Sequence, residues 1–335
     1  MTERLESLVC VLELVRVEDH VGSRFSRWSR GRRALDRRPV ARAFVAKAFY
    51  NLPTTKLLIE MLHSQPGLRR ICGFERKCDI PSEATFSRAF AEFSAGSLGD
   101  RVLECAVKKY YADRPVTFNS IDATEIPARE EPVRKIKPTA TDKPEPSVKG
   151  AQKPPTRLRR QLKQTAKAAL AELPRKCDWG AKRNSQGKNH SWKGWKTHIS
   201  WADGNVPLAV VTTSASLHDS QVAIPLIRLT LDLVQPKHIL MDAAYDANPI
   251  CLVIEKAQVD PLIDPNPAHG PGRELSEADA QLYKQRTTAE RGNSRLKDSF
   301  GARHLRVRGY HKTHMHIMFG MLALFGDQLL KLNTS

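Results

Sequence analysis

Residues 283–297 read YKQRTTAERGNSRLK and set Tyr283, Arg286, Glu290 and Lys297 at offsets 0, 3, 7 and 14. At about 100° per residue of α-helix, these positions fall at roughly 0°, 300°, 340° and 320°. All four side chains then share one face about 60° wide, over some four turns. Leu282, Ala289, Leu296 and Phe300 fall at roughly 220–260°, an apolar stripe beside that face. Such a helix packs by its stripe and presents a carboxylate flanked by two cations and a phenol, which suits a metal ion and phosphates. The competing reading is a solvated face, with Arg286 and Glu290 forming an ordinary i, i+4 ion pair worth a few tenths of a kcal/mol. What separates the two is whether upstream strands supply further acids.

Two do. VTFNSIDATEI (Val116–Ile126) is a β-type run with Asp122 inside it. An acid within a buried strand is costly unless it is paired or coordinates metal; the plainer alternative is a strand-end Asp capping a turn. Glu125, at odd offset from Asp122, is expected on the opposite sheet face, so Asp122 is preferred. HILM (His238–Met241) is a short apolar strand ending directly in Asp242, for which a helix N-cap is the plainer role. WKTHISWAD and PLAVVTTSA read as two strands joined at Gly204–Asn205. A helix over 220–234, a helix over 249–258 and a strand over 260–264 complete the order, which is α/β.

The spacing Y-(2)-R-(3)-E-(6)-K resembles the signature of the DDE transposases of bacterial insertion sequences, and here it stands without departure. MDAAYDA resembles the second-acid motif of that family at Asp242, with Ala244 where Gly is common, while Asp246 does not match. The resemblance implies a ribonuclease H-like mixed sheet with flanking helices, preceded by an all-α N-terminal domain. It implies that Asp122, Asp242 and Glu290 are catalytic and hold two Mg²⁺ ions, with Mn²⁺ substituting. Tyr283, Arg286 and Lys297 would grip DNA near the cleaved bond. Arg303, Arg306 and Arg308, in FGARHLRVRGYHK, are further candidate phosphate contacts. Asp219, in LHDS, looks like a family element but is not the family's metal ligand. His311, His314 and His316 place two at most on one helical face, a poor metal set beside oxygen-ligand chemistry.

Residues 1–112 read as mainly helical, with Ser82 as an N-cap ahead of Phe86, Ala89, Phe90 and Phe93 on one face. With the arginine cluster Arg24, Arg27, Arg30, Arg32, Arg33, Arg37 and Arg38, they suggest a domain binding DNA ends, or else a solvated basic surface. Residues 113–335 are then the catalytic domain, interrupted by a basic, Pro-rich insertion at about 128–193. That stretch holds seven Pro and 18 Lys and Arg against 6 Asp and Glu, a net of +12 out of the +18 of all 335 residues. Pro138–Pro155 reads as extended, and Arg157–Leu173 as a basic helix, lying along DNA phosphates or serving as a solvated linker.

A net charge of +18 points to a polyanionic partner, and 41% hydrophobic residues exclude a wholly disordered chain. No apolar run reaches the roughly 18 residues of a membrane span, and Ile317–Phe325 reads as a core helix. Glu13 and Arg16 interrupt the apolar stretch a signal peptide would need. Cys10, Cys72, Cys78, Cys105, Cys177 and Cys251 are scattered, as in reduced cytosolic proteins. The expected partners are the element's own DNA ends and target DNA, in a homodimeric complex, with no membrane and no small-molecule substrate; the expected place is the bacterial cytoplasm, on the nucleoid. An inactive repeat-binding repressor and a metal-dependent nuclease of the same fold are the alternatives.

Overall fold

The computed structural model describes residues 2–22, 35–132, 154–183, 187–266 and 276–334. Arg24, Arg27, Arg30, Arg32 and Arg33, and most of the Pro138–Pro155 stretch, lie outside these described residues.

Apolar residues at helical spacing fold the first third into α1 (Glu3–Val15), α2 (Arg38–Phe49), α3 (Thr55–Ser64), α4 (Pro66–Cys72), α5 (Glu83–Ala95) and α6 (Leu98–Tyr110). Glu3 and Glu6 sit in the first turn of α1, where its exposed N–H groups favour negative charge. Ser82 occupies the N-cap position of α5, but its hydroxyl meets the Thr85 hydroxyl at 3.3 Å instead of capping the backbone. Phe86, Ala89, Phe90 and Phe93 are buried, as their spacing requires.

The C-terminal helix α13 (Tyr310–Thr334) runs through the centre of these helices. Its Phe319 stacks on Phe44 of α2 at 5.2 Å between ring centroids, and Phe44 also meets Phe86, Phe90 and Phe93 edge-on. A Cβ on Gly99 of α6 would stand 2.4 Å from Met318 Cβ, so only glycine lets the two helices approach this closely. By length and composition α13 is apolar enough to cross a membrane, yet Ile317, Met321, Leu322 and Leu324 are wholly buried in the protein's own core.

The sheet is built from β1 (Val116–Pro127), β2 (Asp178–Arg183), β3 (Asn189–Ala202), β4 (Val206–Ser214), β5 (Pro236–Met241) and β6 (Asp260–Ile263). Its order is β2-β3-β1-β5-β6, with β4 on β3. The β1–β3 and β3–β4 pairs are antiparallel, and β1–β5 and β5–β6 parallel, giving the mixed ribonuclease H-like sheet. Helices α9 (Ser220–Leu231) and α10 (Asn248–Lys256) cover Ile121, Ile239 and Met241 on one face. On the other, α11 (Glu277–Tyr283) and α12 (Thr287–Ser299) follow β6, and α12 packs on β1 and β3.

Within the basic stretch the structure departs from expectation. The strands after β1 begin at Asp178, ahead of the WKTHISWAD run expected from Trp195, because β2 and the first half of β3 pair with each other. Arg157–Leu173 is two short helices, α7 (Arg157–Gln161) and α8 (Ala166–Ala171), folded against α9. Arg228 of α9 donates to the carbonyls of Gln161 at 2.8 Å and Leu162 at 3.1 Å, and Ala169 and Leu173 are buried. Carbonyls at the end of a short helix need such donors.

Candidate active site

The parallel ladder decides where the first two acids meet. Asn119 pairs with Ile239 and Ser120 with Leu240. Carried two residues further, the same register sets Asp122 beside Asp242, on strands that run about 4.8 Å apart. Asp122 is half-buried on β1, and Asp242 stands just past the C-terminal end of β5, where open α/β sheets carry their ligands. Asp242 also performs the capping role weighed for it: its Oδ1 accepts from the Ala244 N–H at 3.0 Å.

Burial pushes the Asp122 carboxyl up to about 7; Asp242 and Asp219 add to the rise, against the Ala123 N–H and the Arg286 charge. Asp242 is raised as well, by burial first, with Asp219 and Asp264 adding and the Ala244 N–H and Arg286 opposing. Beneath them the Tyr245 phenol is fully buried, its hydroxyl has no hydrogen-bond partner among the described residues, and its pKa is raised by burial and by Asp219, Asp122 and Asp242. Asp219 is neutralised by Lys196, which donates to it at 2.9 Å. His198 beside it is buried and held down to about 4, so it is neutral at pH 7.

The stretch 283–297 is not one uniform α-helix. A 3₁₀ turn over Lys284–Arg286 joins α11 to α12. Side chains three apart eclipse in a 3₁₀ turn, so Tyr283 and Arg286 line up one above the other. Tyr283 packs on Phe118, Leu240 and Leu262, and burial raises its phenol to about 12. Arg286 lies in the combined field of Tyr283, Glu290, Asp122 and Asp242. The apolar stripe holds for Ala289, Leu296 and Phe300, all buried, while Leu282 is half-buried against Phe118 and Leu240. A Cβ on Gly292 would stand 2.7 Å from the Trp201 ring, and this close approach seats α12 on the sheet.

Asp122, Asp242, Arg286 and Tyr283 are thus brought together. Glu290 is not beside the aspartates: it is exposed and accepts from Arg286 Nη2 at 2.7 Å. Among the described residues no three Asp, Glu, His or Cys side chains are gathered closely enough to hold a metal ion. Lys297 lies elsewhere on α12, in the field of Glu125, Lys182 and Arg303. Arg303 is exposed and paired with Asp298 at 2.6 Å. Arg306 and Arg308 line a separate cavity against α2 and α5. His314 Nε2 lies 2.8 Å from Asp100, and the His316 ring meets the Gly301 carbonyl at 2.9 Å.

Two functional neighbours escaped the sequence reading. Asn293 donates from Nδ2 to Asp122 Oδ2 at 2.9 Å. Its helical angle from Tyr283, roughly 280°, falls between the apolar stripe and the charged face, and that position was the available signal. Tyr245 carried no such signal, since its depth beneath the acids depends on the turn after β5.

The donor set fits a divalent cation. Two carboxylates close together are hard oxygen ligands, and burial first, with the neighbouring acids adding, raises both, a cost that a bound cation would relieve. Magnesium or manganese would be held by Asp122 and Asp242, and Glu290 is the glutamate that α12 carries.

The sheet and site define an α/β protein organised around two aspartates, one within β1 and one just past the end of β5, beside a turn that carries Arg286 and a helix that carries Glu290. Residues 117–325 match the family model of the transposase DDE domain, and residues 1–92 match that of a transposase domain (DUF772). The chain belongs to the DDE transposase family: it is a transposase, a DNA-acting enzyme of transposition and recombination. No curated protein and no solved structure matches it.

Proposed function

We propose that this transposase binds the terminal inverted repeats of its own insertion sequence, cleaves at the 3′ ends and transfers the freed strands to target DNA. In this reading residues 1–112 engage the element ends and residues 113–335 carry the chemistry, within a DNA-bound dimer in the bacterial cytoplasm. The observation that carries it is the register of β1 on β5, whose continuation past Ser120–Leu240 brings Asp122 level with Asp242.

Two divalent cations, when bound, supply activation of the attacking oxygen and charge stabilisation of the leaving one in an in-line displacement. The chain's residues do the rest. Asp122 and Asp242 hold the negative charge that draws the cations. Asn293 fixes the Asp122 carboxylate by its hydrogen bond. Arg286 meets the phosphate with its planar fork and Tyr283 flanks it. A phosphate at Arg286 competes with Glu290 for that guanidinium and frees the third carboxylate to turn toward the aspartates.

The test is a labelled duplex carrying the gene's own flanking DNA, incubated with Mg²⁺ and with wild type, Asp122→Asn or Glu290→Gln. A nick at the repeat boundary, made by wild type and lost in both variants, is expected. Binding without cleavage by any of the three would point to a repressor. Cleavage without subsequent joining to target DNA would point to a nuclease.

A further inference from the structure

The N-terminal helices and the segment after α12 enclose a cavity of about 410 Å³, within the range of ligand sites. Its walls include none of the acids described above. Lys47, Arg306, Arg308 and Lys312 face it, against one carboxylate, Glu83. Among the described residues none of these four cations has an ion-pair partner, whereas Arg37, Arg295 and Arg303 are each matched with an acid.

Lys47 is the informative member. Burial first, and then the charge of Arg306, lower its ammonium to about 8. A half-buried ammonium facing three more cations costs free energy with no return inside the free protein. An anion in the cavity reverses that cost. His304 and His316 also line it, and both are held below the ordinary histidine range, so neither adds charge at pH 7. Phe90 and Phe319 reach its lining only by their edges, since their rings are buried against Phe44 and each other. Several cations without acid partners around one cavity are what a phosphate requires.

We propose that this cavity is a second DNA site, which takes one phosphate of a DNA strand between Lys47, Arg306 and Arg308. It rests on the chain's action on DNA and not on the acid assignment. The cavity's cations come from both halves of the protein, Lys47 from the segment matching the first transposase domain and Arg306 to Lys312 from the DDE match. A strand held here fastens the N-terminal helices to the catalytic half.

The test reads binding apart from cleavage, by fluorescence anisotropy of full-length protein with a labelled element-end duplex and a single strand, over a salt series. Lys47→Gln and Arg308→Gln are each expected to weaken strand binding roughly three- to tenfold and to lower the salt slope by about 0.7–0.9 per contact. Arg308 is exposed, so its variant carries no folding risk comparable to Lys47. Arg76→Gln, at an exposed position outside the cavity lining, is the control for loss of one charge. If both variants match the Arg76→Gln control, the proposal is overturned. Calorimetry with thymidine 5′-monophosphate and with inorganic phosphate separates the sources. Binding of these, lost in Lys47→Gln while strand binding is unchanged, would make the cavity a free-nucleotide or phosphate site and overturn the strand assignment. Glu290→Gln failing to abolish cleavage would bear only on the acids.

Discussion

The side-chain amide of Asn293 donates to Asp122 Oδ2 at 2.9 Å, joining α12 to β1 across 171 positions of the chain. That bond ties the helix bearing Glu290 to the strand bearing the first acid, and the Ser120 hydroxyl of β1 ties the turn bearing Arg286 by donating to its carbonyl at 3.3 Å. Residues that orient a ligating carboxylate typically cost 10–100-fold in function when removed. Asn293→Ala is therefore expected to slow cleavage by roughly 10–100-fold while DNA affinity stays near wild type. Cleavage rates measured at saturating protein, beside binding isotherms, check the split; equal losses in both would make the residue merely structural.

Asp122 binds its proton more tightly folded than unfolded, with a folded pKa of about 7 against an ordinary value of 3.8. Between those values the folded state holds the proton and the unfolded state does not, so this group's contribution to stability falls as pH rises from about 4 to 7. Removing the charge removes the cost. In the absence of divalent ions Asp122→Asn is expected to melt a few degrees higher than wild type at pH 7.5, and no higher below pH about 4. Melting curves in chelator at both pH values test this, and a variant that melts lower at pH 7.5 would overturn it.

How far the sequence spoke depended on whether the signal was local. Asp122 and Asp242 could be read because strand runs and their ends are local, and a parallel ladder needs only the shared direction of β1 and β5. The buried faces of α5 and α12 were legible for the same reason, through the helical period of Phe86, Phe90 and Leu296. The 3₁₀ turn at Lys284–Arg286 left no mark, since neither Gly nor Pro sits there. β2 and the start of β3 were hidden because charge dominates that composition and each strand is defined by the other. The tie between Glu290 and Arg286 was visible as spacing, but its distance from the aspartates is a tertiary fact.

Gly292 sits where α12 crosses Trp201, with no room for a methyl group. An alanine there gains about 1 kcal/mol of helix propensity on an exposed helix. Against a rigid, fully buried indole it instead overpacks the interface, at about 1–3 kcal/mol. Gly292→Ala is expected to lower the urea midpoint accordingly and to shift Asn293 and Glu290 out of place, with loss of cleavage. A midpoint at or above wild type would show that α12 yields without strain.

His314 and Asp100 join α13 to α6, with Nε2 and Oδ1 2.8 Å apart. The His314 pKa is raised: burial opposes the shift, and the charge and hydrogen bond of Asp100 outweigh it against a small contribution from Arg175. Asp100 is lowered: burial again opposes, and His314 outweighs it. The histidine's contribution is complete below its unfolded value of about 6.5 and is lost as pH rises through the raised folded value. The aspartate's contribution is present above about 3.9 and lost as pH falls through its depressed value. Asp100→Asn is thus expected to cost most at pH 5–6, by about 1 kcal/mol given the carboxylate's exposure, and less at pH 8. Denaturation at several pH values checks the trend, and a cost that grows toward pH 8 would contradict it.

Glu290 is held by Arg286 at 2.7 Å while Asp122 and Asp242 wait beside each other. If the guanidinium restrains the third carboxylate, then freeing Glu290 should improve cation binding in the absence of DNA. Arg286→Gln is expected to bind Mn²⁺ several-fold more tightly than wild type by calorimetry without DNA, even though it has lost a phosphate contact. Adding an element-end duplex should close most of the gap, because the phosphate takes Arg286 in the wild type and leaves Glu290 free. Arg286→Gln with Glu290→Gln should bind Mn²⁺ no better than wild type, since the released ligand is then absent. Equal Mn²⁺ affinity in wild type and Arg286→Gln without DNA would mean that the ion pair does not govern the third acid, and that Glu290 reaches the aspartates by some other movement of α12.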